Sequence, residues 1–268
     1  AHDAYVRMWQ RYSEFSANMV LRLAANIEAR RVRAYELDVA RTADITFASP
    51  NDVVELVAQS VPADKLHNTF HVGDDSQFEQ PDLHFENTQN KLMYVGLLER
   101  ETKAQGLVWF VEEVWPPLLQ LHPDLRFDIV GKNPCERLRH AVAGISGIRL
   151  LGFVEDLETV YRGSRVFVAP FLFGRGMKVK VRDAMARGMP IVTTVLGAEG
   201  IAIENGKHLL VADTPEEMAD YIDTLLTNSA MWRRLQGYSR ALIQEFYTWE
   251  KLSIAMHLAI ENRLQESE

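Results

Sequence analysis

From Lys91 onward the chain alternates short apolar runs with helical stretches, and this rhythm constrains its fold more than any other feature. The runs are Leu92–Val95, Arg126–Val130, Ile148–Leu151, Val166–Ala169, Ile191–Thr194 and Leu209–Val211. They are rich in Val, Ile, Leu and Phe and lack the polar alternation of a half-exposed strand. Strands of that kind separated by helices predict a parallel sheet covered on both faces, and right-handed crossovers make it a doubly wound α/β sheet. Ligands of such sheets bind beyond the carboxyl ends of the strands.

Residues 1–90 read differently. A helical pattern runs from about Asp3 to Asp38. A short strand is expected at Asp44–Ala48, then a helix capped by Ser49 with Pro50 in its first turn, then a strand at Lys65–Phe70. Residues 74–90 are polar and turn-rich and read as a linker. After the last strand, helices are expected near Glu216–Leu226, Ala230–Phe246 and Trp249–Leu264, the last capped by Thr248. Trp109 and Trp115 lie at helical spacing with Phe110 and read as packing residues. The chain begins at Ala1 without a methionine, which suits a processed or excised piece.

Charge and cysteine content exclude several functions. Of 268 residues, 29 are Lys or Arg and 37 are Asp or Glu, a formal charge of −8. An acidic balance argues against general nucleic-acid binding. The segment up to Arg41 is an exception, with seven arginines against five acids. A basic helix of this kind suits an anionic membrane face, a phosphorylated acceptor or plain solvation. No apolar run reaches the ~18 residues of a membrane span. The single cysteine, Cys135, excludes an internal disulfide framework and suits a reducing compartment. No D-x-D pair, no H-E-x-x-H or H-x-x-E-H arrangement, no G-x-S-x-G elbow and no Gly-x4-Gly-Lys-Ser/Thr loop is present. His67 and His71 read as structural.

The strand ends carry the chemistry. Phe173–Pro190 reads as a glycine loop, with Gly174 and Gly176, that follows a buried strand and opens a helix. Backbone N–H groups at a helix start favour an anion, and Lys178 and Lys180 add mobile charge, a combination suited to a diphosphate. The same pattern also suits a tight turn with two solvated lysines. Gly96 closes the first strand, with Lys103 seven residues on. Gly131 closes the second, and Gly152-Phe153-Val154 the third. The turn Gly96-Leu97-Leu98-Glu99-Arg100 lacks G-x-G-x-x-G, which weakens a dinucleotide-oxidoreductase reading.

With these residues set out, the chain resembles the C-terminal, donor-binding half of the GT-B glycosyltransferases of the large family-4 (group 1) set, from about Lys91 to Trp249. The resemblance rests on Tyr94-Val95-Gly96, the Trp109–Pro116 stretch, Phe127–Gly131, Leu151–Asp156, Val168-Ala169-Pro170, Gly176–Lys180, Ala184-Met185-Ala186 and Gly197–Gly200. It implies residues 1–73 as the later part of an acceptor domain whose first half is absent. It further implies a linker at 74–90, a donor-binding domain at 91–247, and a final helix at 248–268 packing back on the N-terminal portion. The expected activity is retaining transfer, without a required metal, from a UDP-, GDP- or dTDP-sugar to a glycan or lipid-linked acceptor, in the cytoplasm or at the inner face of a membrane.

The resemblance also implies site roles. Lys103 and the loop Gly176-Met177-Lys178 would bind the diphosphate beside Gly96, backbone near Phe153 and Val154 the base, and Asp183 the ribose. Three positions depart from the family: Leu97 stands where an arginine is typical, and the E-x7-E pair has become Arg175 and Asp183. Arg175 suits phosphate or an acidic sugar. No catalytic residue is fixed; the candidates are His2 and Glu199. The alternatives are a degenerate, non-catalytic module that binds nucleotide sugar or a partner, and a GT-B epimerase, which fits the motifs less well.

Overall fold

A computed structural model describes residues 18–174 and 176–265, with positions 9, 12 and 13 before them. The chain divides into two compact units. One comprises Ala1–Phe70 with Glu250–Glu268, and the other His71–Trp249.

In the smaller unit, helix α1 (Met19–Thr42) starts where the Asn18 side chain accepts the N–H groups of Val20 and Leu21. The long helical pattern therefore has a cap within it. Strands β1 (Thr46–Ala48) and β2 (Leu66–Asn68) pair in parallel around α2 (Pro50–Ala58). Ser49 caps α2 with Pro in its first turn, as its sequence requires. Both strands are shorter than the apolar runs that predict them. A small core of Ala40, Val61 and Leu66 holds these elements. On α1, Arg31 pairs with Glu28, and Arg33 and Arg41 bond Gln59, so part of its basic face is engaged within the unit. The last helix, α11 (Trp249–Gln265), lies mostly in this unit, with Arg263 3.8 Å from Asp64. Among the described residues, no helix is long and apolar enough to cross a membrane.

The larger unit is a doubly wound α/β domain. Its strands are β3 (Lys91–Val95), β4 (Arg126–Val130), β5 (Ile148–Gly152), β6 (Val166–Ala169), β7 (Ile191–Thr193) and β8 (Leu210–Val211). They form one parallel sheet in the order β5-β4-β3-β6-β7-β8. The chain winds outward from β3 to β5, returns beside β3 at β6, then winds the other way. Direction therefore reverses between β3 and β6, where the connections part and leave a crevice above the strand ends. Strand residues such as Leu92, Phe127, Val166 and Val168 are fully buried, because helices cover both faces.

The helices are α3 (Glu101–Trp109), α4 (Trp115–Leu121), α5 (Glu136–Val142), α6 (Leu157–Gly163), α7 (Val179–Arg187), α8 (Val195–Ala198), α9 (Pro215–Thr227) and α10 (Ser229–Phe246). Between α3 and α4 the backbone widens to a π turn at Phe110–Val114. Pro116 and Pro117 follow at once, and neither can donate to the ladder. Trp115 is buried, with its ring stacked on Phe127.

Residues 74–90 are polar, yet they form a fixed strap. Two 3-10 turns, Asp75–Phe78 and Phe85–Asn87, are anchored by α10. Arg240 bonds Asp82 and the Phe78 carbonyl, Gln236 bonds the Leu83 carbonyl, and Phe85 packs edge-on against buried Trp232. Arg165 closes the strap with hydrogen bonds to both oxygens of Thr88.

A second buried tie is Arg187 of α7, whose guanidinium grips both oxygens of Glu158, which also accepts from Arg162. Burial pushes the Glu158 carboxyl up, but the two guanidiniums outweigh it and hold it below the usual glutamate value. A carboxyl depressed on folding stabilises the fold above its unfolded value, and that contribution is lost as pH falls through the folded value. Glu158→Gln should therefore flatten the acid limb of the stability curve below about pH 4.3. Denaturant midpoints measured down to acid pH check this.

Candidate functional site

The crevice is lined by the connection after β3 and the loop between β6 and α7. At the first, Gly96 is buried, and a Cβ there would fall 2.2 Å from the Tyr94 ring. The Gly96 carbonyl lies so close to the β4 connection that a Cβ on Gly131 would sit 2.1 Å from it. The backbone contact between these two strand ends is what requires glycine at 131, whereas at 96 it is the Tyr94 ring that leaves no room for a side chain. Leu97, beside Gly96, is 65% exposed. Lys103 lies in the exposed first turn of α3.

The β6 connection is pinned from β7: the Thr193 hydroxyl donates to the Ala169 carbonyl at 2.7 Å and the Thr194 hydroxyl to the Phe171 carbonyl at 2.6 Å. From below, Gly106 of α3 touches it, since a Cβ there would lie 1.5 Å from the Pro170 oxygen. Gly174 (φ 128°) and Gly176 (φ 70°) take conformations that disfavour other residues. The loop ends at Lys178, the residue before α7, and no side-chain hydrogen bond caps that helix. Its first N–H groups therefore have no side-chain acceptor at the end of the loop, where the helix dipole favours negative charge.

Lys178 Nζ donates to the Gly176 carbonyl at 2.6 Å and lies 3.7 Å from Glu199. The 197–200 turn rests on the loop, because a Cβ on Gly200 would come within 2.9 Å of the Met177 nitrogen. Lys180, the second residue of α7, is half-buried. Burial lowers its pKa, the Lys103 charge lowers it further, and Asp183 opposes both. The charges of two lysines from different helices thus repel each other across this end of the sheet, and an anion between them would relieve that repulsion.

At the β5 end, Gly152 takes a positive φ and Phe153 is 67% exposed, with Lys132 Nζ 4.1 Å from its ring centroid. Val154 is half-buried. Asp183 is tied to the start of the strap. Its Oδ1 accepts the Asp74 N–H at 3.0 Å and Arg182 Nη1 at 3.1 Å. Burial pushes this carboxyl up, and those two donors pull against it.

Gly96, Lys103, Gly176, Met177 and Lys178 are thus placed at the reversal point, with Phe153 and Val154 at the end of β5. His2 and Arg175 lie outside the described residues. Among the described residues, no group of three His, Cys, Asp or Glu is placed to hold a metal ion. Three participants escape a reading of the sequence: Lys132 over Phe153, the charge of Lys103 felt at Lys180, and the buried Arg182 beside Asp183. Each depends on the fold joining distant segments, and a lysine or arginine in a polar helix carries no local mark of burial.

A family model described as glycosyl transferases group 1 matches residues 89–228. The chain is similar to an uncharacterized 44.6 kDa protein of the cps region of Klebsiella pneumoniae, 31% identical over 66% of this chain and 46% of that one. It is also similar to the phosphatidyl-myo-inositol mannosyltransferase of Mycobacterium leprae, at 26% over 59% of this chain and 42% of the relative. Among solved structures it superposes on Anabaena Alr3699/HepE in complex with UDP and glucose, with a TM-score of 0.66, 14% identity, and coverage of 96% and 80% of the two chains. The chain spans less than half the length of these two curated relatives.

Proposed function

The chain belongs to the group 1 glycosyl transferases, and from that premise we propose that its larger unit holds a nucleoside-diphosphate sugar over the β3/β6 crevice for transfer to a glycan or lipid-linked acceptor. The observation that carries this reading is the convergence there of a positive-φ glycine loop, an uncapped helix start and three amines, Lys103, Lys178 and Lys180. When the glycosyl bond breaks, negative charge grows on the departing diphosphate. Fixed N–H groups and ammonium ions aimed at that position stabilise it without reorganising, an effect worth several kcal/mol, on the order of 3 per donor, in comparable sites. The amines would carry the charge without a metal, and the sugar would be transferred with retention. The base would lie near the Gly152–Val154 turn, where Phe153 offers an exposed ring. Glu199, held near Lys178, is the described carboxylate best placed to face the sugar.

A second reading, a donor-binding module without transfer, draws on Leu97 and on the engagement of Asp183 with the strap. Calorimetric titration with UDP, GDP, dTDP and their sugar conjugates, with and without chelator, separates the two. Chelator-independent binding selective for one base supports the donor site, and turnover of the bound sugar conjugate supports the enzyme. No binding up to millimolar ligand removes the donor site. Leu97→Arg adds a cation at the mouth of the crevice and should tighten diphosphate binding about fivefold to tenfold. An unchanged dissociation constant in that variant would place position 97 away from the phosphates.

A further inference from the structure

Strand β3 is an apolar run that carries one hydroxyl, on Tyr94. The residue is only 3% exposed. A tyrosine buried to that degree ordinarily bonds its hydroxyl to a neighbour, yet among the described residues Tyr94 Oη has no hydrogen-bond partner. Burial alone pushes the phenol above its usual value, so at neutral pH the group is an O–H donor. The oxygen is not sealed from solvent. The direction of the ring accounts for this. Residues two apart on a strand share a face, and the ring leans along β3 over Gly96, where a Cβ would lie 2.2 Å from Tyr94 Oη and 2.2 Å from its Cε1. That lean carries the hydroxyl past Val95, the last residue of the strand. Phe171, in the connection after β6, lies alongside with ring centroids 6.2 Å apart. The ladder that joins β3 to β6 ends at the pair Met93 and Phe167. Tyr94 is therefore the first β3 residue beyond the seam, at the floor of the crevice.

We propose that Tyr94 is a ligand-contact residue whose hydroxyl, rising from the crevice floor, donates a hydrogen bond to an oxygen of the bound diphosphate. The proposal deepens, and rests on, the donor-site reading of the crevice. Diphosphate oxygens are acceptors, and the hydroxyl is a donor with nothing in the protein to donate to. Lys103, Lys178 and Lys180 already gather positive charge at this end of the sheet, and the Lys103 charge lowers the Lys180 pKa. A further cation would add to that repulsion, whereas a neutral O–H adds a directed bond without it. Glycine at 96 then has a role in the site as well as in the fold, because any side chain there would displace the ring that delivers the hydroxyl.

The test is Tyr94→Phe, which removes one oxygen and keeps the ring. Denaturant unfolding of the ligand-free chain and calorimetric titration with UDP, GDP and dTDP are compared in parent and variant. A hydroxyl with no protein partner contributes nothing to the fold, so the unfolding midpoint should hold or rise. Affinity for the preferred diphosphate should fall roughly fivefold to tenfold, the loss of one hydrogen bond to a charged group. Inorganic pyrophosphate, competed against that diphosphate, should weaken by the same factor. A diphosphate dissociation constant within about twofold of the parent overturns the proposal. A midpoint that drops together with affinity also overturns it, because the hydroxyl would then be holding the fold and not the ligand. An undiminished pyrophosphate affinity in a variant that has lost nucleotide affinity moves the contact to the base or the sugar, and overturns the phosphate assignment. A parent chain that binds none of the three diphosphates refutes the donor reading and the Tyr94 contact with it, whereas equal binding by parent and variant refutes the contact alone.

Discussion

Lys178→Ala is expected to weaken nucleoside-diphosphate binding by roughly 10-fold to 100-fold, the range of one lost charge-assisted hydrogen bond at 1.5–3 kcal/mol. The ammonium is already at its post, held by the Gly176 carbonyl and by Glu199, so little side-chain entropy is lost when a phosphate arrives. Removing it does more than delete a donor. It leaves the Glu199 carboxylate facing the diphosphate, and like charges in a partly dry crevice repel. Isothermal titration at low and moderate salt provides the measurement, and the parent should show the steeper salt dependence. An unchanged dissociation constant would remove the phosphate assignment from the loop.

Gly106→Ala is expected to destabilise the larger unit by about 3 kcal/mol, although alanine in an open helix position would stabilise by about 1 kcal/mol relative to glycine. The opposite sign comes from one contact. The new methyl would meet the Pro170 oxygen at 1.5 Å and its carbonyl carbon at 2.7 Å. These are backbone atoms and cannot rotate aside. Helix α3 cannot retreat either, because Ala104, Leu107 and Val108 are packed in the core. The strain must pass into the Pro170–Lys178 segment, so nucleotide affinity should fall with stability. Gly237, in α10 with nothing within 4 Å of its missing Cβ, is the control. Gly237→Ala should raise the denaturant midpoint, and a Gly106→Ala midpoint that also rises would mean that α3 and the loop do not meet.

The sheet was legible in the sequence because strands buried on both faces must be continuously apolar, and each such run from Leu92 to Val211 did become a strand. The glycine loop was legible because positive φ at Gly174 and Gly176 has few chemical solutions. The strap was not. Its polar, turn-rich composition reads as a tether, and its anchors, Arg233, Gln236 and Arg240, lie more than a hundred residues away on α10. The burial of Arg182 and Arg187 was illegible for a related reason. In a helix that begins Val-Lys-Val-Arg, cations read as a solvated face, and only Asp75 and Glu158, delivered by other elements, make their burial tolerable. The four-residue helix α8 had no apolar period long enough to read; it forms because the Thr194 hydroxyl accepts the Gly197 N–H. The bond of Asp183 to the Asp74 N–H was not legible, because no spacing rule indicates a backbone donor 109 residues away.

The reversal of strand order also bears on how the molecule is built. Each half of the sheet, β3 to β5 and β6 to β8, is assembled from sequence neighbours. The pairing of Leu92 with Val166 and Met93 with Phe167 joins the halves across the longest stretch of chain in the sheet. Such distant pairings close slowly, since loop entropy is lost before the contact stabilises. The seam between early-forming halves is therefore the floor of the crevice. A ligand that bridges the two sides of that floor would act as a fastener: it would stabilise only the closed seam, raising the unfolding barrier most where the chain itself supplies the fewest local contacts.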